Sequence, residues 1–168
     1  SDPHADAGLA ASLGIELVRL DDLFRRSDYL AVNCPLNEET LGLVNAQRIA
    51  LMKRGSFIIN TARGPIVDQR ALHAALVEGH LAGAGIDVFE QEPTPADEPL
   101  LALDNVIVTP HSLCWTDQCF AGIGVDAVAA TRAVRRGLVP EGIINREIVS
   151  DALWQAKLRA FAARGRPG

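Results

Sequence analysis

Short apolar runs, each closed by turn residues, alternate along this chain with longer segments whose apolar residues recur at helical spacing. Tyr29 to Asn33, Ser56 to Asn60, Gly83 to Val88 and Val106 to Val108 are predicted strands, with Ile15 to Val18 a further brief one. Ala5 to Leu13, Asp21 to Arg26, Asn45 to Met52, the segment from Asp68 to Val77 and Asp117 to Arg136 are predicted helices. Several stop at a glycine, and Asp68 is placed to cap its helix. Strands that are apolar throughout, rather than alternating, are expected where helices cover both faces of a parallel sheet. The fold class is therefore α/β. In such sheets ligands lie beyond the carboxyl ends of the strands, which singles out Asn33, Asn60 to Arg63, Asp87 to Glu92 and Thr109 to His111.

Composition narrows the function. With 168 residues, 48% hydrophobic and 22% charged, the chain has the make-up of an ordinary globular protein. Its net charge of −5 offers no basic field for nucleic acid or anionic lipid, so neither is an expected partner. No apolar run approaches the roughly 20 residues needed to cross a bilayer, and a cytoplasmic location is the default expectation. Cys34, Cys114 and Cys119 are too few and too odd in number for a disulfide framework, and reduced thiols are expected. Cys114-x4-Cys119 lacks the second Cys/His pair of a zinc site. Gly79 to Gly85 is glycine-rich but leads into a strand, the wrong context for a pyrophosphate cradle.

Three strand-end loops carry residues suited to proton and anion chemistry. Arg63, in Asn60-Thr61-Ala62-Arg63-Gly64, can grip a carboxylate through paired hydrogen bonds; the plain alternative is a surface arginine paired with a nearby acid, with Asn60 and Thr61 capping the turn. His111, after Thr109-Pro110, has an imidazole able to give and take a proton near neutrality, although a lone histidine is more often simply packed or solvated. Glu92 and Asp87 follow another strand, where a carboxylate touching an imidazole would fix its tautomer, or would only solvate a loop. His4, His73 and His80 have no partner visible in sequence and are given no role.

Five blocks in order, Asp28 to Thr40, Ile59 to Gly64, Gly83 to Phe89, Glu92-Pro93 and Asn105 to His111, closely resemble the D-isomer-specific 2-hydroxyacid dehydrogenases. The resemblance implies a Rossmann-type doubly wound sheet, with residues 1–148 a partial dinucleotide-binding domain and 149–168 a carboxyl-terminal tail, helical in part. It implies hydride exchange between NAD(H) and a small 2-oxo or 2-hydroxy acid. Arg63 then matches the carboxylate-binding arginine, His111 the proton donor and acceptor, and Glu92 its hydrogen-bonding acid. Asp87 matches a nicotinamide-carboxamide contact, and Asp2 the acid that holds the adenosine ribose and favours NAD over NADP. Asn33, Cys34 and Pro35 would lie on the adenine side, with Thr61 and Ala62 near the nicotinamide ribose.

The match begins at the end of the family's second strand. The first strand, its glycine-rich turn and the substrate domain have no counterpart, so a longer polypeptide is expected to supply them, and the segment alone is expected to be inactive. A homodimer is implied by the same resemblance. It departs after His111, where Ser112-Leu113-Cys114-Trp115 replaces small, glycine-containing sequence. The same resemblance extends to corepressors that sense NAD without catalysis, and this stands as the alternative function.

Overall fold

A computed structural model describes residues 1–164, which divide into two compact units, Ser1–Leu113 and one beginning at Cys114. The first unit holds helices α1 (Ala7–Ser12), α2 (Leu20–Arg26), α3 (Ala46–Leu51) and α4 (Gln69–Val77), and strands β1 (Tyr29–Val32), β2 (Ser56–Asn60), β3 (Leu81–Ile86) and β4 (Val106–Val108). The strands form one sheet in the order β1-β2-β3-β4, and every pairing is parallel. The chain is therefore α/β with a parallel sheet, as its alternation of runs predicts.

Local chemistry explains the boundaries. The side chains of Asp6, Asn45 and Asp68 each accept a hydrogen bond from the backbone N–H three residues on, satisfying donors that a helix start leaves orphaned. Gly79 follows α4 with φ +64°, a conformation that glycine enters without steric cost, and so ends the helix.

The core lies on one face of the sheet. Leu30 and Val32 of β1, Ile58 of β2 and Ile86 of β3 pack with Phe24 of α2, Ile49 of α3, and Leu72 and Leu76 of α4. The opposite face is less covered than uniformly apolar strands suggest: Tyr29, Ala31 and Ile107 are exposed, and Phe57 and Ile59 are half-buried. The Tyr29 and Phe57 rings stack there, 5.0 Å between centroids. The physical reason is that α2, α3 and α4 all contribute to the same side.

A second difference is Ile15–Val18. Its backbone is not in a strand, because an extended segment becomes one only when a neighbour supplies ladder partners, and the described residues pair none with it.

The second unit contains α5 (Asp117–Arg135), a 3₁₀ turn at Arg146–Ser150 and α6 (Ala152–Arg164). Thr116 caps α5 by accepting from the Cys119 N–H, and Trp115 leans against Phe120 with 6.0 Å between ring centroids. Gly137, at φ +75°, lies so close to α6 that a Cβ there would fall 2.6 Å from the Ala162 methyl. Residues 165–168 of the expected tail lie outside the described residues. No described helix is long and apolar enough to cross a membrane.

Leu72 is fully buried at the centre of the first unit's core. Leu72→Ala is expected to cost about 2–5 kcal/mol through lost transfer energy and the cavity left behind, read as a shift in urea midpoint at unchanged slope.

Candidate active site

Because β1 to β4 are parallel, the loops that follow them all emerge at the sheet's carboxyl edge. Asn33 follows β1, Thr61 to Arg63 follow β2, Asp87 follows β3 and Thr109 to His111 follow β4. That edge carries two clusters.

The first is a cleft of about 890 Å³ beside β1, lined by Asp2, Asn33, Cys34 and Pro35 together with apolar groups that include Val18 and Leu20. Asp2 is exposed and accepts from the His4 N–H through Oδ1 at 2.8 Å. The Cys34 thiol is half-buried and is not in a disulfide. Thr61, Ala62, Arg63, Asp87, Glu92 and His111 are not part of this lining.

The second cluster joins the loops after β2, β3 and β4. Asn60, 1% exposed at the end of β2, accepts from the Ala62 N–H and donates to the Arg63 carbonyl, so its buried amide shapes the arginine loop. The Arg63 side chain is exposed and donates Nη1 to the Ala62 carbonyl at 2.6 Å. No carboxylate lies within ion-pair distance of it among the described residues.

Glu92 and His111 meet directly, with His111 Nδ1 2.8 Å from Glu92 Oε2. The other carboxylate oxygen accepts from the Phe89 N–H at 3.0 Å. The His111 hydrogen bond, then the Phe89 N–H, hold the Glu92 carboxyl below its ordinary range against the opposing effect of burial, and the Arg63 charge adds a smaller pull. An ionised carboxylate only accepts, so Nδ1 carries the proton in this pair and Nε2 is the nitrogen left for other work.

Asp87 is 5% exposed and ionised. Burial pushes its carboxyl up, but hydrogen bonds from the Thr109 hydroxyl and the Ser112 and Leu113 N–H groups together outweigh this and lower it. Its backbone carbonyl also accepts from the His111 N–H at 2.8 Å. His111 itself has φ +54°, a left-handed conformation that costs a residue with a Cβ about 1–2 kcal/mol and persists only where its surroundings impose it.

Two contacts that sequence reasoning did not find press the arginine and glutamate loops together. A Cβ at Gly64 would lie 1.9 Å from the Phe89 carbonyl, so only glycine permits this crossing. Just beyond it, the Gln69 N–H donates to Glu90 and the Glu90 N–H donates to the Gln69 side chain. A glycine directly after the arginine was the available signal; the reciprocal pair had none.

A four-stranded parallel sheet with a cleft and an imidazole-carboxylate pair at its carboxyl edge is consistent with a Rossmann-type dinucleotide-binding domain. Residues 1–112 match the family model of the D-isomer specific 2-hydroxyacid dehydrogenase NAD-binding domain, and the chain belongs to that family. It is 42% identical over 137 residues to a glyoxylate reductase of Korarchaeum cryptofilum, covering 82% of this chain and 41% of that one. Against a D-3-phosphoglycerate dehydrogenase of Methanocaldococcus jannaschii it is 40% identical over 145 residues, covering 86% and 28%. It is also similar to the crystal structure of D-lactate dehydrogenase from Aquifex aeolicus complexed with NAD and lactic acid, with TM-score 0.73, 34% identity, and coverage of 81% of this chain and 45% of that one. The chain thus spans less than half the length of these relatives.

Gly64→Ala is expected to push the arginine and glutamate loops apart or to destabilise the unit by about 1–3 kcal/mol, the range for overpacking, as measured by chemical denaturation. Glu92 supplies a pH test. Because its folded value is depressed, its stabilising contribution is complete above the unfolded carboxylate value and is lost as pH falls through the folded one. A ¹³C titration should place the Glu92 carboxyl below the ordinary range, and His111→Ala should move it upward.

Proposed function

We propose that the chain provides the cofactor side and the acid/base pair of an NAD-dependent dehydrogenase acting on a small 2-hydroxy or 2-oxo acid. The observation that supports it most is the 2.8 Å contact between His111 Nδ1 and Glu92 Oε2, which fixes the ring tautomer and leaves Nε2 available to a substrate oxygen.

The β1 cleft fits the adenosine portion of a dinucleotide. Its volume and apolar lining suit a base, and the carboxylate of Asp2 suits the paired hydroxyls of an unphosphorylated ribose, hence NAD rather than NADP. Asn33, Cys34 and Pro35 form the adenine side, while Thr61 and Ala62 lie toward the nicotinamide ribose. When bound, the nicotinamide supplies or accepts the hydride.

The protein's own groups do the rest. Arg63 grips the substrate carboxylate and polarises the neighbouring 2-oxo oxygen with its positive charge. His111, oriented by Glu92, gives a proton from Nε2 to that oxygen in reduction and takes it back in oxidation. Glu92 stays ionised throughout and favours the charged ring when Nε2 is protonated. Asp87 keeps Oδ2, whose only hydrogen bond among the described residues is 3.5 Å long, as the oxygen facing a carboxamide. The partners are the 2-oxo acid, the remainder of a longer polypeptide that closes the substrate side, and a second copy of the chain in a cytoplasmic homodimer.

The test is NADH oxidation by the full-length protein with a panel of 2-oxo acids. Turnover with at least one acid is expected. Arg63→Ala should lower kcat/KM by about a hundredfold or more, the order of two charge-assisted hydrogen bonds. His111→Ala should lower kcat by roughly 10²–10⁴-fold, the span of general acid/base catalysis. A protein that changes its oligomeric state with NADH but turns over none of the acids would instead be a non-catalytic sensor.

A further inference from the structure

His111 faces Glu92 from a backbone conformation that its own Cβ disfavours, with φ +54°. Neither Glu92 nor the ring contact dictates that backbone, since one side-chain hydrogen bond can be met from several main-chain conformations. What encloses the residue is Asp87. Its carbonyl accepts the His111 N–H at 2.8 Å, its Oδ1 accepts the Ser112 N–H at 2.9 Å and the Thr109 hydroxyl at 2.5 Å, and its Oδ2 reaches the Leu113 N–H at 3.5 Å. Donors two residues before and one and two residues after the histidine thus converge on a single buried residue.

We propose that Thr109 and Asp87 are positioning residues for the acid/base histidine: the Thr109 hydroxyl and the Ser112 N–H, meeting on Asp87 Oδ1, pin both ends of the turn and hold His111 in its left-handed conformation with Nδ1 toward Glu92. The proposal rests on the dehydrogenase reading for its catalytic consequence, though not for its geometry. Thr109 is already fixed at its backbone, where its N–H extends the β3–β4 ladder to the Ile86 carbonyl at 3.0 Å. The strand end is therefore rigid, and the hydroxyl transmits that rigidity to a carboxylate that in turn holds the far side of the turn. A buried carboxylate also orders donors more strongly than a neutral group would, because each charge-assisted bond is short and directional. The clasp uses both lone-pair directions of Oδ1, while Oδ2 meets the Leu113 N–H at 3.5 Å.

Thr109→Val removes the hydroxyl at nearly constant shape, and Thr109→Ser restores it. In the full-length protein, Thr109→Val is expected to lower kcat by about tenfold or more, less than the roughly 10²–10⁴-fold lost with a general acid/base group itself, while KM for NADH stays within about twofold and Thr109→Ser stays within about threefold of wild type. Independently of turnover, the His111 ring-proton NMR signal, assigned by its disappearance in His111→Gln, should lose its Glu92-bonded downfield position in Thr109→Val and keep it in Thr109→Ser. An unchanged ring signal in Thr109→Val, or equal loss of kcat in Val and Ser, would overturn the proposal. If the wild-type protein turns over no 2-oxo acid, the dehydrogenase reading fails while the ring signal still decides the clasp. Should the valine variant not fold, Thr109→Ala takes its place, and equal signals in the Ala and Ser proteins would refute the clasp.

Discussion

The parallel ladder is the constraint on which the site depends. In a parallel sheet each strand must be re-entered from the same end, so every loop leaving a strand emerges at one edge. With the order β1-β2-β3-β4 running in sequence, the loops at residues 33–35, 61–63, 87–92 and 109–113 stand side by side there. An arginine, a glutamate and a histidine that lie tens of residues apart in the chain are brought to one edge by this topology before any side chain interacts. Register refines the placement. Asn60 pairs with Ile86 and Ile86 with Val108, so the loops beyond these three residues begin at the same level.

From that level the loops are joined by contacts of different kinds. The loops after β2 and β3 are held by steric fit, Gly64 lying against the Phe89 carbonyl, while those after β3 and β4 are held by charge, donors gathering on Asp87. The distinction has energetic meaning. The steric crossing tolerates no added methyl, whereas the charged one depends on a buried carboxylate remaining ionised, and removing a donor would leave part of its desolvation cost uncompensated.

Much of this frame was legible in the sequence. Apolar runs located all four strands to within two residues, and Asp68 marked a helix start, because both signals are local. Ile15–Val18 is apolar enough for a strand but forms none, because strand identity belongs to a pair of segments, not to one. The uneven burial of the sheet escaped for a similar reason: composition says that Tyr29 and Ile107 can be buried, not that a helix lies over them. At the site, residue types and family resemblance pointed to Arg63, Glu92 and His111. The left-handed backbone of His111 had no signal, since glycine or asparagine is the usual mark of such a turn. The Thr109–Asp87 bond and the reciprocal Gln69–Glu90 contact exist only once separate loops meet, which a linear reading does not see, and at Gly64 only the bare glycine hinted at the crossing.

The electrostatics of Glu92 give the site its direction. The acid is held from one side by the Phe89 N–H and from the other by the imidazole, and Arg63 adds positive charge nearby. All three favour its ionised form. An acid so held does not compete for the proton, so that proton stays on Nδ1, and Nε2 is the ring nitrogen that Glu92 does not engage. Had burial dominated instead, the glutamate could have taken the proton itself, and the ring would have lost both its fixed tautomer and its charge support. The short loop from Phe89 to Glu92 therefore does more than deliver a carboxylate to the histidine, because its own backbone N–H keeps that carboxylate charged.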